Sequence, residues 1–138
     1  MDIVTLHLIA LIITAPVILY ADHMGFRYFT GRAQTLSGPS VAWTHRLVFI
    51  GLFLLIATGI MLTVPSWAVW FAKPAFYVKL GFVITLLING LFIQKLMTTA
   101  TRVPYASLSL SDKRMLMTSG ALSAIGWVTS VIIGFFFL

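Results

Sequence analysis

The chain has 138 residues, of which 60% are hydrophobic and only 9% charged, and its mean hydropathy is +1.05. A water-soluble domain carries about 25% charged residues, so too little charge is present to coat a globule and the expected solvent is lipid. The absence of cysteine excludes disulfides, thiolate catalysis and cysteine-held zinc or iron–sulfur sites.

Four stretches reach the ~20 apolar residues that a membrane-crossing helix needs: Ile3 to Met24, Val41 to Val64, Ala75 to Met97 and Met115 to Leu138. No run alternates with a two-residue period, which argues against strands. The expected fold is all-α, an integral membrane four-helix antiparallel bundle forming one domain over residues 1–138. Ahead of the first span stands Asp2 with no Lys or Arg, which is wrong for a cleaved secretory signal, so the span is expected to stay. Pro16 should kink it, with Thr14 helping to satisfy a freed carbonyl. Gly38-Pro39 and Lys73-Pro74 place proline in the first turn of spans two and three. Ser109-Leu-Ser-Asp112 has capping-box spacing ahead of span four.

The net charge is +6, but the basic residues lie between apolar runs. That distribution points to anionic lipid headgroups rather than nucleic acid. Arg27, Arg32, Arg46, Lys95, Arg102, Lys113 and Arg114 flank the first and third connections, whereas only Lys73 and Lys79 lie on the other side. Seven against two predicts that these two connections are cytoplasmic and both termini outside, in a cell inner membrane crossed several times. Trp67, Trp70, Phe71 and Tyr77 read as the outer aromatic belt, and Tyr28, Trp43 and Tyr105 as the inner one.

At 100° per residue, His7, Leu11, Thr14, Ile18, Asp22 and Gly25 share one side of span one. His45, Leu52, Ile56 and Gly59 form the stripe of span two, and Lys79, Phe82, Leu86, Asn89, Gly90 and Ile93 that of span three. In span four, Gly126, Ser130 and Gly134 recur every four residues, a spacing that lets a neighbouring helix approach closely.

Ionisable groups inside a membrane cost about 2.5 to 3.5 kcal/mol at a helix centre and so invite a functional reading. Arg46 and Lys95 lie near enough to the boundary to snorkel. His7 and Lys79 are expected in the outer half, and Asp22 and His45 in the inner half. Asp22 is placed to orient or charge-stabilise His45, with Asn89 and Ser119 completing a polar pocket. His23 and His45 each lie ~10 Å inside their helix ends at 1.5 Å per residue, the depth match that a bis-histidine haem b between helices wants. Ideal helical phase, however, sets His23 about 160° from His7. No strong metal-ligand spacing, phosphate loop or serine-nucleophile motif occurs.

Some phrases are family-like. Leu6-His7-Leu8-Ile9, then His45-Arg46-Leu47 with Ala57-Thr58-Gly59-Ile60-Met61-Leu62, then Lys79-Leu80 resemble copper-resistance D-type membrane domains. They are also similar to the membrane-bound, oxygen-independent protoporphyrinogen oxidase. The second resemblance implies a helical porphyrin-oxidising enzyme with His7 and Lys79 at the functional positions. That family's arginine and asparagine-glutamate segment near the last helix is missing. Ser119 to Trp127 resembles an uncharacterised small four-helix membrane family.

Four readings follow. The first is a haem- or metal-binding bundle, a b-type cytochrome-like electron carrier or redox-partner subunit, with His45, His23 and Asp22 as its site. The others are a porphyrin-oxidising enzyme using His7 and Lys79, a proton or ion transporter, and a structural subunit of a larger membrane complex. The expected partners are the bilayer and either other membrane proteins or further copies of the chain.

Overall fold

The computed structural model describes all 138 residues. Four helices are long and apolar enough to cross a membrane, and with the short α3 they are α1 (Ile3–Phe29), α2 (Gly38–Thr63), α3 (Trp67–Phe71), α4 (Pro74–Ala100) and α5 (Leu110–Phe136). Each long helix has 26 or 27 residues, about 40 Å at 1.5 Å per residue. All four therefore exceed a ~30 Å hydrocarbon core.

The caps follow from local chemistry. Asp2 accepts the Thr5 N–H at 2.7 Å, a bond that holds its carboxyl below the usual aspartate range. Ser109 accepts the Asp112 N–H at 3.1 Å, and Pro39 and Pro74 sit in the first turns of α2 and α4, where a missing N–H costs nothing. Just past the end of α1, Gly31 has a φ of +75°, a left-handed conformation that suits glycine. Pro16 lies inside a continuous α1. The Thr14 hydroxyl donates to Ala10 O at 2.6 Å and not to Ile12 O, the carbonyl four residues before the proline.

Helix α1 packs along α2 and α4 along α5, and the two hairpins meet through α2 with α4 and α1 with α5. Small residues set the approach. A Cβ on Gly51 would collide with Thr14, one on Gly90 would reach within 2.8 Å of Phe49, and one on Gly126 within 2.9 Å of Leu86. Only 17 of the 138 residues are buried, which leaves large apolar side chains such as Ile12, Phe53 and Phe92 facing outward. In water such a surface would aggregate; against lipid it is the expected boundary.

The two ends of the bundle differ. At the end carrying the first and third connections, Tyr28, Leu36, Ala100, Leu108 and Leu116 form a closed apolar cluster. There the Leu36 N–H donates to Ala100 O at 2.9 Å and the Tyr28 hydroxyl to Val103 O at 2.7 Å. Tyr28, expected in an interfacial belt, is instead 1% exposed, because the two connections fold over it.

One inward stripe also differs from its expected course. Along α1 the buried positions Thr14 and Ile18 continue through Ala21 and Met24 to Tyr28, stepping by three or four residues. The step after Ile18 is three rather than four, so Ala21 faces inward and Asp22 is exposed. The 100° between consecutive residues makes that choice decisive.

Candidate functional site

Two cavities lie along the bundle axis. The smaller, about 160 Å³, is in the half nearer the closed end, and His45, Asn89, Thr44, Met97 and Phe49 are among its lining residues. His45 packs against Phe49 with ring centroids 4.8 Å apart. Asn89 is held across the hairpin: its Nδ2 donates to Ser119 O at 3.1 Å, and the Ser119 hydroxyl donates to its Oδ1 at 2.7 Å. The polar pocket thus contains Asn89, tied to Ser119, but neither Asp22 nor His23, both of which are exposed on α1. The structure does not bring His45, His23 and Asp22 together. A cavity of about 160 Å³ is also below the ~300–1,000 Å³ typical of small-molecule sites, so these residues do not fit a haem between them. No three His, Asp or Glu side chains cluster in a way that would hold a metal ion.

The larger cavity, about 590 Å³, occupies the half nearer the termini, within the range of small-molecule sites. Its walls are mostly apolar, and Leu52, Leu86 and Trp127 line both cavities, forming the septum between them. His7 from α1 and Lys79 from α4, 72 residues apart in sequence, both line it. Two residues expected at similar depth on inward helix faces thus line one cavity.

The state of His7 follows from its neighbours. The Thr58 hydroxyl donates to Leu54 O at 2.7 Å, which commits its only proton to its own helix. Thr58 Oγ1 lies 2.7 Å from His7 Nδ1 and can therefore only accept there. This pairing assigns the hydrogen to His7 Nδ1, and in the neutral imidazole Nε2 then carries the lone pair.

Lys79 sits opposite. Its Nζ lies over Gly134 of α5, where an added Cβ would come within 2.9 Å of it. No carboxylate lies against it; the acidic side chains of the chain are Asp2, Asp22 and Asp112. An ammonium on an apolar wall without a counter-ion is costly, and an anion bound in the cavity would offset that cost.

Two further polar atoms went unrecognised in the sequence. Ser130 Oγ and Trp70 Nε1 are buried without a hydrogen-bond partner, and both residues line the larger cavity. Ser130 read as one member of a packing stripe, and Trp70 as a belt residue. A small-residue stripe looks the same in sequence whether it meets a helix or a cavity.

The mouth of the cavity is aromatic. Helix α3 folds over it, and Trp67, Trp70 and Phe71 join the lining, with Phe71 and Phe76 5.4 Å apart edge to face and Trp70 and Phe76 6.2 Å apart. The Lys73 ammonium lies 4.9 Å from the Trp70 ring centroid. These aromatic side chains, expected to mark the membrane boundary, also roof the site. No known protein family, curated protein or solved structure matches the chain.

Proposed function

We propose that the protein is a membrane-embedded tetrapyrrole-binding protein whose site is the larger cavity, and that it acts there as a porphyrin-oxidising enzyme. The observation that carries this reading is the convergence of His7 and Lys79 on one aromatic-roofed cavity of about 590 Å³. These are the two positions that the oxidase resemblance singles out. Apolar and aromatic walls suit the apolar body of a tetrapyrrole, Lys79 suits its carboxylates, and the lone pair of neutral His7 Nε2 suits a proton acceptor. Oxidation of a porphyrinogen removes a hydride equivalent from carbon and a proton from nitrogen. His7 takes the proton, and a quinone-class acceptor dissolved in the membrane takes the hydride equivalent.

The same lone pair could ligate the iron of a haem, which would supply electron-transfer chemistry. His7 then replaces His45 and His23 as the ligand of the cytochrome-like reading. The exposed apolar faces suit lipid contact, and the charge bias of the connections supports an orientation with the larger cavity on the outer side.

The test uses detergent-purified protein and a strain lacking its own protoporphyrinogen oxidase. The wild type is expected to rescue the strain, and Lys79→Ala and His7→Ala to lose the rescue while still inserting in the membrane. Purified protein is expected to give a Soret absorption band with protoporphyrin or haem that His7→Ala alters. Absence of both rescue and spectral binding would reject the reading. Binding of haem with reduced α and β bands but no rescue would replace the enzyme with an electron carrier.

A further inference from the structure

An apolar surface facing lipid needs no protein partner, but a carboxyl group on that surface does. Once Ala21 takes the inward position on α1, Asp22 and His23 are both exposed. They stand seven and six residues before Phe29, the last residue of the helix, at the inner end of its apolar stretch. An acidic side chain at that level is costly, and aspartate lacks the long stem by which Arg46 and Lys95 can reach the headgroups. No charged group of the chain lies against Asp22. His23 follows it in sequence but cannot serve it, because consecutive side chains on a helix point about 100° apart.

The surface around the two residues has a seven-residue repeat. Ile9, Ile12, Pro16, Leu19, His23 and Phe26 step alternately by three and four along α1, and all six are exposed. That alternation is the seam of a left-handed helix pair. In it His23 holds a core position and Asp22 the flanking position just before it. A core side chain of one helix inserts among four residues of the facing helix. In a parallel pair, those four include the flanking residue that precedes the matching core position.

We infer that this face of α1 is the interface with a second copy of the chain, in which Asp22 of each copy pairs with His23 of the other. Two copies inserted in the same orientation have parallel α1 helices, related by a two-fold axis along the membrane normal. The two residues differ in depth by one step of about 1.5 Å. A carboxylate and an imidazole that cannot meet within one helix therefore meet twice between two. The face is complementary to itself, since it presents an acceptor and a donor at one level, and this favours a second copy over a foreign helix. The polar pair sets the register, and the apolar seam positions supply the packing. Val4, His7, Leu8 and Leu11 line the larger cavity from α1 and none belongs to the seam, so the interface leaves that site free.

The chain has no cysteine, so single introduced cysteines report proximity. Leu19→Cys, on the seam, is expected to form an intermolecular disulfide in membranes treated with a membrane-permeant oxidant, because like positions across the two-fold axis fall within the ~7 Å that a disulfide spans. Phe92→Cys, at a similarly exposed position on α4, is expected to stay uncross-linked. In detergent, Asp22→Leu is expected to raise the dissociation constant of the dimer about tenfold, since two interhelical hydrogen bonds are lost per dimer. Exchanging the two residues, Asp22→His with His23→Asp, is expected to restore most of that affinity. Both positions lie on the outer surface, so unfolding of the dissociated chain should match that of wild type, which separates loss of pairing from loss of fold. Cross-linking at Leu19→Cys no greater than at Phe92→Cys, or an Asp22→Leu dimer as tight as wild type, would overturn the interface. Cross-linking of Leu19→Cys to a different protein in place of a second copy would overturn it too.

Discussion

A glycine can make room for two different things, and this bundle contains both cases. At Gly51 an added methyl meets Thr14, whose side chain is buried and tied to Ala10 O, so nothing can yield without moving α1 from α2. Gly51→Ala is expected to destabilise the protein by ~1–3 kcal/mol, as overpacking does, and Thr14→Ala in the same chain to restore part of that loss. At Gly134 the methyl meets the end of the flexible Lys79 side chain, which can swing away. Gly134→Ala is therefore expected to keep the fold and weaken ligand binding by displacing the ammonium. Unfolding in detergent and ligand titration on the same samples check both; a strongly destabilised Gly134→Ala would show that Lys79 cannot move.

Among the elements, α4 and α5 are held by more than apolar packing. Asn89 and Ser119 exchange two hydrogen bonds across the hairpin, at a level where there is little water to compete. Interhelical hydrogen bonds in membranes average about 0.6 kcal/mol and reach ~1.7. Asn89→Ala breaks both bonds at once, and a loss of about 1 kcal/mol in hairpin stability is expected in a detergent unfolding titration. Asn89→Leu should cost no less, since Ser119 would still lack its acceptor. A neutral outcome for both would mean that the Ser119 hydroxyl turns to its own helix, as the threonines already do. Helix α3 is the opposite kind of element: five residues, held by ring contacts of Phe71 and Trp70 with Phe76 and placed to cover the cavity.

The whole molecule is closed at one end and hollow at the other. The connections that carry most of the basic residues fold into the Tyr28–Leu36–Ala100 cluster, while the opposite half holds the larger cavity. Orientation in the membrane therefore decides which compartment the ligand comes from. The lack of native cysteine permits a clean test. Ser66→Cys, in the connection roofing the cavity, is expected to react with a membrane-impermeant maleimide added outside, and Ser107→Cys only after the membrane is opened; both positions are exposed. The reverse pattern would place the cavity mouth in the cytoplasm.

Much of this is legible in the sequence. Composition and four apolar runs dictate an all-α membrane bundle, because lipid allows few other ways to satisfy a backbone, and proline, serine and aspartate mark the helix starts through local bonds. Helical phase alone placed His7 and Lys79 on inward faces. The fate of Asp22 was not legible: whether a stripe steps by three or four residues after Ile18 is settled by the neighbouring helices, and one step turns a side chain by 100°. The same holds for Ser130 and Trp70, whose spacing is consistent with packing or with an interface belt. Only the tertiary fold leaves a cavity beside them and buries their polar atoms without a partner. Local bonds and hydropathy act over a few residues and can be read along the chain, whereas a cavity exists only where distant segments fail to touch.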